Sequence, residues 1–207
     1  DYVLQMSSMI LIACLFVPLI IGVPVTTLIR ARLSVVGAQQ VLLVIAGVAL
    51  LLITVVPAPL IPVCLAVAGF GLSGPQTLTN VLFAQVADED ELRSGVRREG
   101  AFFGVNALLT KPAQSVALAL IPFLLEATHF VTRESQGGQI YLDQPASALF
   151  GIRVLVGLIP GLALLLGAVL LVWFPLRGDH LRQVQARVLA LHGEKQARLK
   201  QGQRAGD

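Results

Sequence analysis

Long apolar runs separated by short polar intervals dominate the pattern of this chain. Five runs are long enough to cross a membrane: residues 2–29, 33–56, 60–87, 99–126 and 149–176. Each exceeds the roughly 20 residues that a helix needs to cross about 30 Å of hydrocarbon. Because hydrocarbon offers no water to bind free backbone groups, such runs are helical. The pattern predicts an all-α, polytopic membrane helix bundle with five transmembrane helices over residues 1–176.

The pattern changes after residue 176. The segment 177–207 carries Leu181, Val184, Val188 and Leu191 at three- and four-residue steps among Arg, Gln and His. This spacing predicts an amphipathic helix that lies on the inner membrane surface. We expect the last residues, 193–207, to be disordered.

Composition and charge support a membrane protein and fix its predicted orientation. Only 13% of the residues are charged, about half the usual share in soluble domains. The net charge of +3 does not indicate nucleic-acid binding, because the basic residues cluster in alternate intervals and in the tail. Arg30 and Arg32 follow the first run, and Arg93, Arg97 and Arg98 follow the third. By the positive-inside rule these intervals and the C-terminus are cytoplasmic, in the inner or plasma membrane.

The chain is predicted to be the C-terminal part of a longer protein, because this orientation starts residue 1 outside the cell with an odd number of spans. Cys14 and Cys64 lie within predicted spans, where thiols usually pack as small apolar groups. The histidines, His129, His180 and His192, show neither metal-ligand spacing nor a catalytic partner. We therefore predict no enzyme activity, no metal site and no bound cofactor.

Two predicted spans carry polar residues along one face. The third-span stripe is Ser73, Gln76, Thr77 and Asn80, and the fourth-span stripe is Asn106, Thr110, Lys111 and Gln114. Polar faces within hydrocarbon turn toward each other or toward a water-filled cavity.

Lys111 is the most informative member of these stripes. It lies about 18 Å along its helix from Glu99, near the membrane midplane. A lysine there costs at least about 2.5–3.5 kcal/mol, and no acid of this chain is predicted at the same depth. A substrate or coupling role is favoured, while pairing with a charge on another helix is the structural alternative.

A compact charged segment, ADEDELRSGVRREG, joins the third and fourth spans. We name six of its residues the junction cluster: Asp88, Asp90, Glu91, Arg97, Arg98 and Glu99. Ion pairs at such a point can hold one conformation and break in another, which predicts a cytoplasmic ion-pair gate. A solvated loop of mixed charge is the alternative. The stretch GFGLSG matches the G-x-G-x-x-G pattern, but it lies in an apolar run and predicts close helix packing.

The segment ADEDELRSGVRREGAFFGVNALLTKPAQS resembles the tenth-to-eleventh-helix region of the glycoside–pentoside–hexuronide:cation symporters, the melibiose-permease type within the major facilitator superfamily. GFGLSG, ALFGIRVLVGLIP and FPLRGDHLRQVQ occur in the corresponding order. The resemblance implies that the five spans are helices 8–12 of a twelve-helix transporter. Two departures are Gln85, where the family's best-known member has an acid, and the short basic interval RARLSVVG.

The resemblance also implies a function. It implies sugar transport by alternating access, coupled to Na⁺ or H⁺, with Lys111 in the substrate and ion region. The cation site and half of the cavity would lie in the missing N-terminal half, so the implied partners are that half, the lipid bilayer and a sugar-like solute. The alternatives are a lipid or lysophospholipid transporter of the same branch and a non-transporting membrane scaffold.

Overall fold

The structure, a computed structural model, describes residues 8–131 and 144–204. Six helices form the described part: α1 Ser8–Ile53, α2 Ile61–Ser94, α3 Glu99–Ala127, α4 Ala146–Arg153, α5 Ile159–Leu170 and α6 Gly178–Arg204. A π-helical segment, Val154–Leu158, joins α4 to α5. The described residues contain no β-strand, and the predicted all-α membrane bundle is confirmed.

The first helix consists of two arms. A straight helix of its 46 residues would measure about 69 Å, more than twice the thickness of the hydrocarbon core. At Ser34 the backbone leaves the helical conformation, with φ 73° and ψ 166°. The Ser34 hydroxyl oxygen accepts a 3.3 Å hydrogen bond from the backbone N–H of Gly37, as an N-cap does. Residues 8–33 therefore form arm one and residues 35–53 form arm two.

Both arms pack on α2, arm one running parallel to it and arm two antiparallel. Along arm one, Leu15 lies against Gly69 and Thr26 lies against Ser73, so the residue numbers rise together. Along arm two, Gln39 lies against Thr79, whereas Ala46 lies against Gly71. The arms are therefore antiparallel to each other, and each can cross the membrane separately.

Four helical stretches of the described residues are long and apolar enough to cross a membrane: Met9–Ile53, Ala58–Ser94, Glu99–Ala127 and Ala146–Trp173. The first contains both arms of α1. Counting the arms separately gives five crossings, the number predicted from the sequence.

Glycines allow the last span to approach arm two closely. A side chain added at Gly157 would lie 2.6 Å from the Leu50 carbonyl oxygen, and one at Gly161 would lie 3.0 Å from the Gly47 carbonyl oxygen. Gly69, Gly71 and Gly74 of GFGLSG take the same role on α2. The prediction that GFGLSG serves close helix packing is confirmed.

Helix α3 lies apart from this packing, and none of its residues is buried. Near its start, the rings of Phe83 and Phe103 lie 5.8 Å apart and join it to α2. Just past its end, the Ser147 hydroxyl donates a 2.9 Å hydrogen bond to the Thr128 carbonyl oxygen. The helix is thus held near both ends while its middle is exposed.

Helix α6 packs on α2 instead of presenting its apolar face to lipid. Val184 and Val188 are buried in a cluster with Leu176, against Val86 and Leu92 of the α2 end. The apolar stripe was predicted correctly, but protein covers it. The helix also continues to Arg204, through most of the segment for which we expected disorder, because that segment is rich in helix-forming Ala, Leu, Glu, Gln and Lys.

Candidate functional site

The junction cluster lies where α2 extends past the membrane. Helix α2 has 34 residues, so it measures about 51 Å and exceeds the hydrocarbon thickness. Its predicted hydrocarbon-crossing part ends at residue 87, and residues 88–94 lie beyond it. Gly95, in the left-handed conformation with φ 73°, ends the helix and turns the chain toward α3.

Arg97 lies at the centre of the cluster. Its guanidinium is 3.3 Å from the Glu91 carboxylate and 3.6 Å from the Asp88 carboxylate, and it also donates a hydrogen bond to Glu99. Glu91 is only 1% exposed. A carboxylate buried to this degree is stable in its charged form only when it is paired. Arg97 therefore links the end of α2 to the first residue of α3.

Arg98 makes a separate contact with Asp90. Its Nη2 and Nε atoms donate hydrogen bonds of 3.1 and 3.2 Å to the two oxygens of the Asp90 carboxylate. This two-point geometry is the strong form of a carboxylate–guanidinium pair. All six residues of the predicted cluster are therefore engaged, with Arg98 on Asp90 and Arg97 on Glu91, Asp88 and Glu99.

Helix α6 adds two histidines that were not predicted to lie near this cluster. His192 Nε2 lies 3.1 Å from Glu91, and His180 Nε2 lies 3.4 Å from Glu89. Glu89 also pairs with Arg93. Their position could have been predicted from the helical spacing of α6, because the two histidines flank the apolar stripe that packs on α2.

Burial and hydrogen bonding shift the pKa values of two groups of the cluster. Burial raises the pKa of the Asp88 carboxyl, and the nearby Arg97 opposes this shift. The hydrogen bond to Glu99 raises the pKa of the Arg97 guanidinium, which stays charged. A cavity of about 400 Å³ adjoins these groups between α2 and α6, with Gln185 and His192 in its wall. The junction cluster therefore combines two arginines with four carboxylates, and one of these carboxylates, that of Asp88, has a raised pKa.

The structure leaves most of the two predicted polar stripes exposed, but it buries Ser73, which faces arm one instead. On α2, Gln76 and Asn80 are exposed and Thr77 is half-buried; on α3, Asn106 is half-buried and Thr110, Lys111 and Gln114 are exposed. Across residues 8–131 no hydrogen bond joins the two stripes, because α2 and α3 meet near their connection. Within the described ranges no acidic side chain lies at ion-pair distance from Lys111.

A buried polar contact joins arm one to the middle of α2. The hydroxyls of Thr26 and Ser73, neither of them exposed, lie 2.9 Å apart, and Thr26 also donates to the Gly22 carbonyl. Cys14 and Cys64 are free thiols. No group of three or more potential metal ligands occurs in the part of the chain that the structure describes.

The chain is similar to known membrane transport proteins. The profile of the family described as "MFS/sugar transport protein" matches residues 1–178. An uncharacterized symporter of Synechocystis sp. is 36% identical over 124 residues, which cover 58% of this chain. The match spans 22% of the length of that relative. No solved structure matches the chain significantly.

Proposed function

Because the chain belongs to the MFS/sugar transport protein family, we propose that it is the C-terminal part of a cation-coupled secondary transporter that moves a sugar or glycoside by alternating access. The family indicates a transporter and an integral membrane protein, not an enzyme. The coupling ion in this proposal is Na⁺ or H⁺, bound in an N-terminal half that completes the cavity.

The exposure of α3 is the observation that carries the proposal. Its stripe of Asn106, Thr110, Lys111 and Gln114 includes an ammonium that is predicted near the membrane midplane. A charge at that depth is costly unless it faces water, a counter-charge or a polar ligand. In this proposal the stripe lines the central cavity, together with Gln76, Thr77 and Asn80 of α2, and the missing half closes it.

The junction cluster supports alternating access. Its ion pairs join α2 to α3 at one end of the bundle, outside the proposed cavity. In our proposal these pairs hold the transporter closed on the cytoplasmic side and break when it opens inward. Arg177, which starts the tail, bonds to Gln40 at the start of arm two. The start of the tail therefore lies near the beginning of arm two, which follows the basic interval of Arg30 and Arg32, and this supports a cytoplasmic C-terminus in the inner or plasma membrane.

The test measures solute-driven cation flux by the full-length protein in proteoliposomes. Lys111→Ala should reduce flux by at least about tenfold, since a lost charged contact is worth roughly 1.5–3 kcal/mol. Lys111→Arg should keep part of the flux because it keeps the charge. Leu109→Ala changes an exposed residue on the opposite side of α3 and is the matched control. Wild-type flux in Lys111→Ala would refute the cavity role.

A panel of solutes decides between the alternatives. Sugars and glycosides should drive or compete with cation flux in the wild-type protein. Transport of lysophospholipid that sugars do not inhibit would replace the sugar proposal by lipid transport. No flux with any solute, in a protein that folds and inserts, would favour a membrane scaffold.

A further inference from the structure

An apolar groove runs between arm two and the last span. It has a volume of about 570 Å³, and Gln40 lies at one end of it. The rest of its wall consists of apolar side chains, which include Val41, Val44, Leu165, Val169 and Val172. Lipid tails are as apolar as leucine, so this wall suits a hydrocarbon chain and offers no side-chain hydrogen bond to a sugar.

The groove lies on the side of the bundle away from the proposed cavity. Val44 is on the face of arm two opposite Leu42, and Leu42 packs on Gly74 of α2. Gln76 and Asn80, which belong to the proposed cavity, lie on the face of α2 opposite Gly74. Arm two and α2 therefore separate the groove from the cavity, so a half that closes the cavity leaves the groove to membrane lipid.

Arg177 lies at the Gln40 end of the groove. Its Nη2 atom donates a 3.1 Å hydrogen bond to the Gln40 side-chain oxygen and another to the Leu171 carbonyl oxygen. Gln40 in turn donates a 3.1 Å hydrogen bond to the Ala168 carbonyl oxygen, which fixes the guanidinium beside the groove. Within the described ranges no carboxylate lies at ion-pair distance from Arg177, and its Nη1 and buried Nε atoms make no hydrogen bond. This half-buried guanidinium therefore has a charge and a donor left for an anion.

The same end of the bundle lies at the level of the lipid headgroups. Trp173 directly follows Val172 of the groove wall and is 72% exposed, and tryptophan favours the membrane–water interface. Arg30 and Arg32 are exposed just before arm two, and among the described residues neither has an acid at ion-pair distance. Basic residues at this level attract anionic lipids. The charge at this end of arm two therefore complements an anionic headgroup.

We propose that this groove binds an anionic phospholipid, with one acyl chain between arm two and the last span and the phosphate on the Nη1 atom of Arg177. Anionic lipids are concentrated in the cytoplasmic leaflet, which is where the proposed orientation puts Arg177. The site rests on that orientation but not on the solute that the protein carries. It lies outside the proposed cavity, so the bound lipid is a resident partner and not a transported one.

Tryptophan fluorescence in the full-length protein tests this site. Trp173 is the one tryptophan of this chain, and any in the rest of the full-length protein are replaced by phenylalanine. The protein is placed in vesicles of phosphatidylglycerol and phosphatidylcholine in equal parts, with bromine on the acyl chains of one lipid or the other. Bromine quenches an adjacent indole, so the two samples report which lipid lies beside Trp173. Phosphatidylglycerol should be preferred by about fivefold, since an arginine near the membrane surface is worth about that factor for an anionic lipid.

Arginine variants test the headgroup contact. Arg177→Gln should reduce the preference to below about twofold, and Arg177→Lys should keep part of it because it keeps the charge. Arg153→Gln is the matched control, since Arg153 also donates to a backbone carbonyl, that of Val56, but near the opposite end of the last span. It should leave the preference unchanged. Equal quenching by the two lipids in the wild-type background would overturn the proposal, and so would full preference in Arg177→Gln.

A second pair of variants tests the acyl-chain contact. Val169→Phe places a ring in the groove and should lower the quenching by brominated phosphatidylglycerol, whereas Leu170→Phe changes an exposed neighbour outside the groove wall and should not. Val169 is 51% exposed, so this variant tests the site even where Arg177→Gln fails to fold. Inorganic phosphate should not displace the lipid. Displacement by phosphate, or equal quenching in Val169→Phe and Leu170→Phe, would contradict a lipid held through its chain.

Discussion

Gly71→Ala tests the packing that holds arm two on α2. The added methyl group would lie 2.6 Å from the Ala46 backbone nitrogen and 2.7 Å from the Leu42 carbonyl oxygen. Ordinary contacts of such a carbon begin near 3.4 Å, so the two helices must separate by about 0.8 Å. Both nearest atoms belong to the backbone, and no side-chain rotation can relieve the overlap. Overpacking of this kind costs about 1–3 kcal/mol.

The assay is thermal unfolding of the full-length protein in detergent, followed by loss of the monodisperse peak in size-exclusion chromatography. Each kcal/mol lowers the Tm of a domain of this size by about 2–4 °C. Gly104→Ala on α3 is the matched control, since a methyl group there meets nothing within 4 Å. It should leave the Tm unchanged or raise it, because alanine favours the helix. Equal Tm values for the two variants would refute the close approach at Gly71.

Two further predictions concern polar contacts. Asp90→Arg or Arg98→Asp alone should lower the stability of the α2–α3 connection by about 0.5–1 kcal/mol, and the double reversal should recover part of that loss. Additive losses in this cycle would show that the two residues do not interact. Thr26→Val removes the buried hydroxyl that contacts Ser73 and should cost about 0.5–1.5 kcal/mol. The exposed neighbour Thr27→Val should cost less, and thermal unfolding that ranks them in reverse would contradict the buried contact.

The sequence was sufficient to predict elements whose cause is local. Apolar run length predicts the spans, and the spacing of Leu181, Val184 and Val188 predicts the apolar face of α6. The glycines of GFGLSG could be assigned to packing because the alternative, a nucleotide-binding turn, requires a preceding strand. In each case the deciding residues are neighbours along the chain.

Contacts between distant residues could not be predicted in the same way. His192 and Glu91 are separated by 101 positions, and their meeting depends on how α6 crosses α2. Pairing within the junction cluster depends on the turn at Gly95, which brings Arg97 to Glu91 and Asp88 and leaves Arg98 for Asp90. The polar stripes of α2 and α3 were identified by residue type. Their separation could not be predicted, because it depends on how α3 packs against the other helices. The role of Lys111 in a cavity stays a prediction.

Because α2 is long, a small tilt at its middle becomes a large displacement at its cytoplasmic end. Both arms pack closely on its central segment at Gly69 and Gly71, and Pro75 removes one backbone hydrogen bond just beyond them. Glu91 lies about 25 Å farther along the helix, so a 10° tilt about Gly74 moves it by roughly 4 Å. That displacement is as large as the distance, about 4 Å, over which an ion pair forms. A small rotation at the middle of the bundle must therefore either carry α6 along or pull Glu91 away from His192.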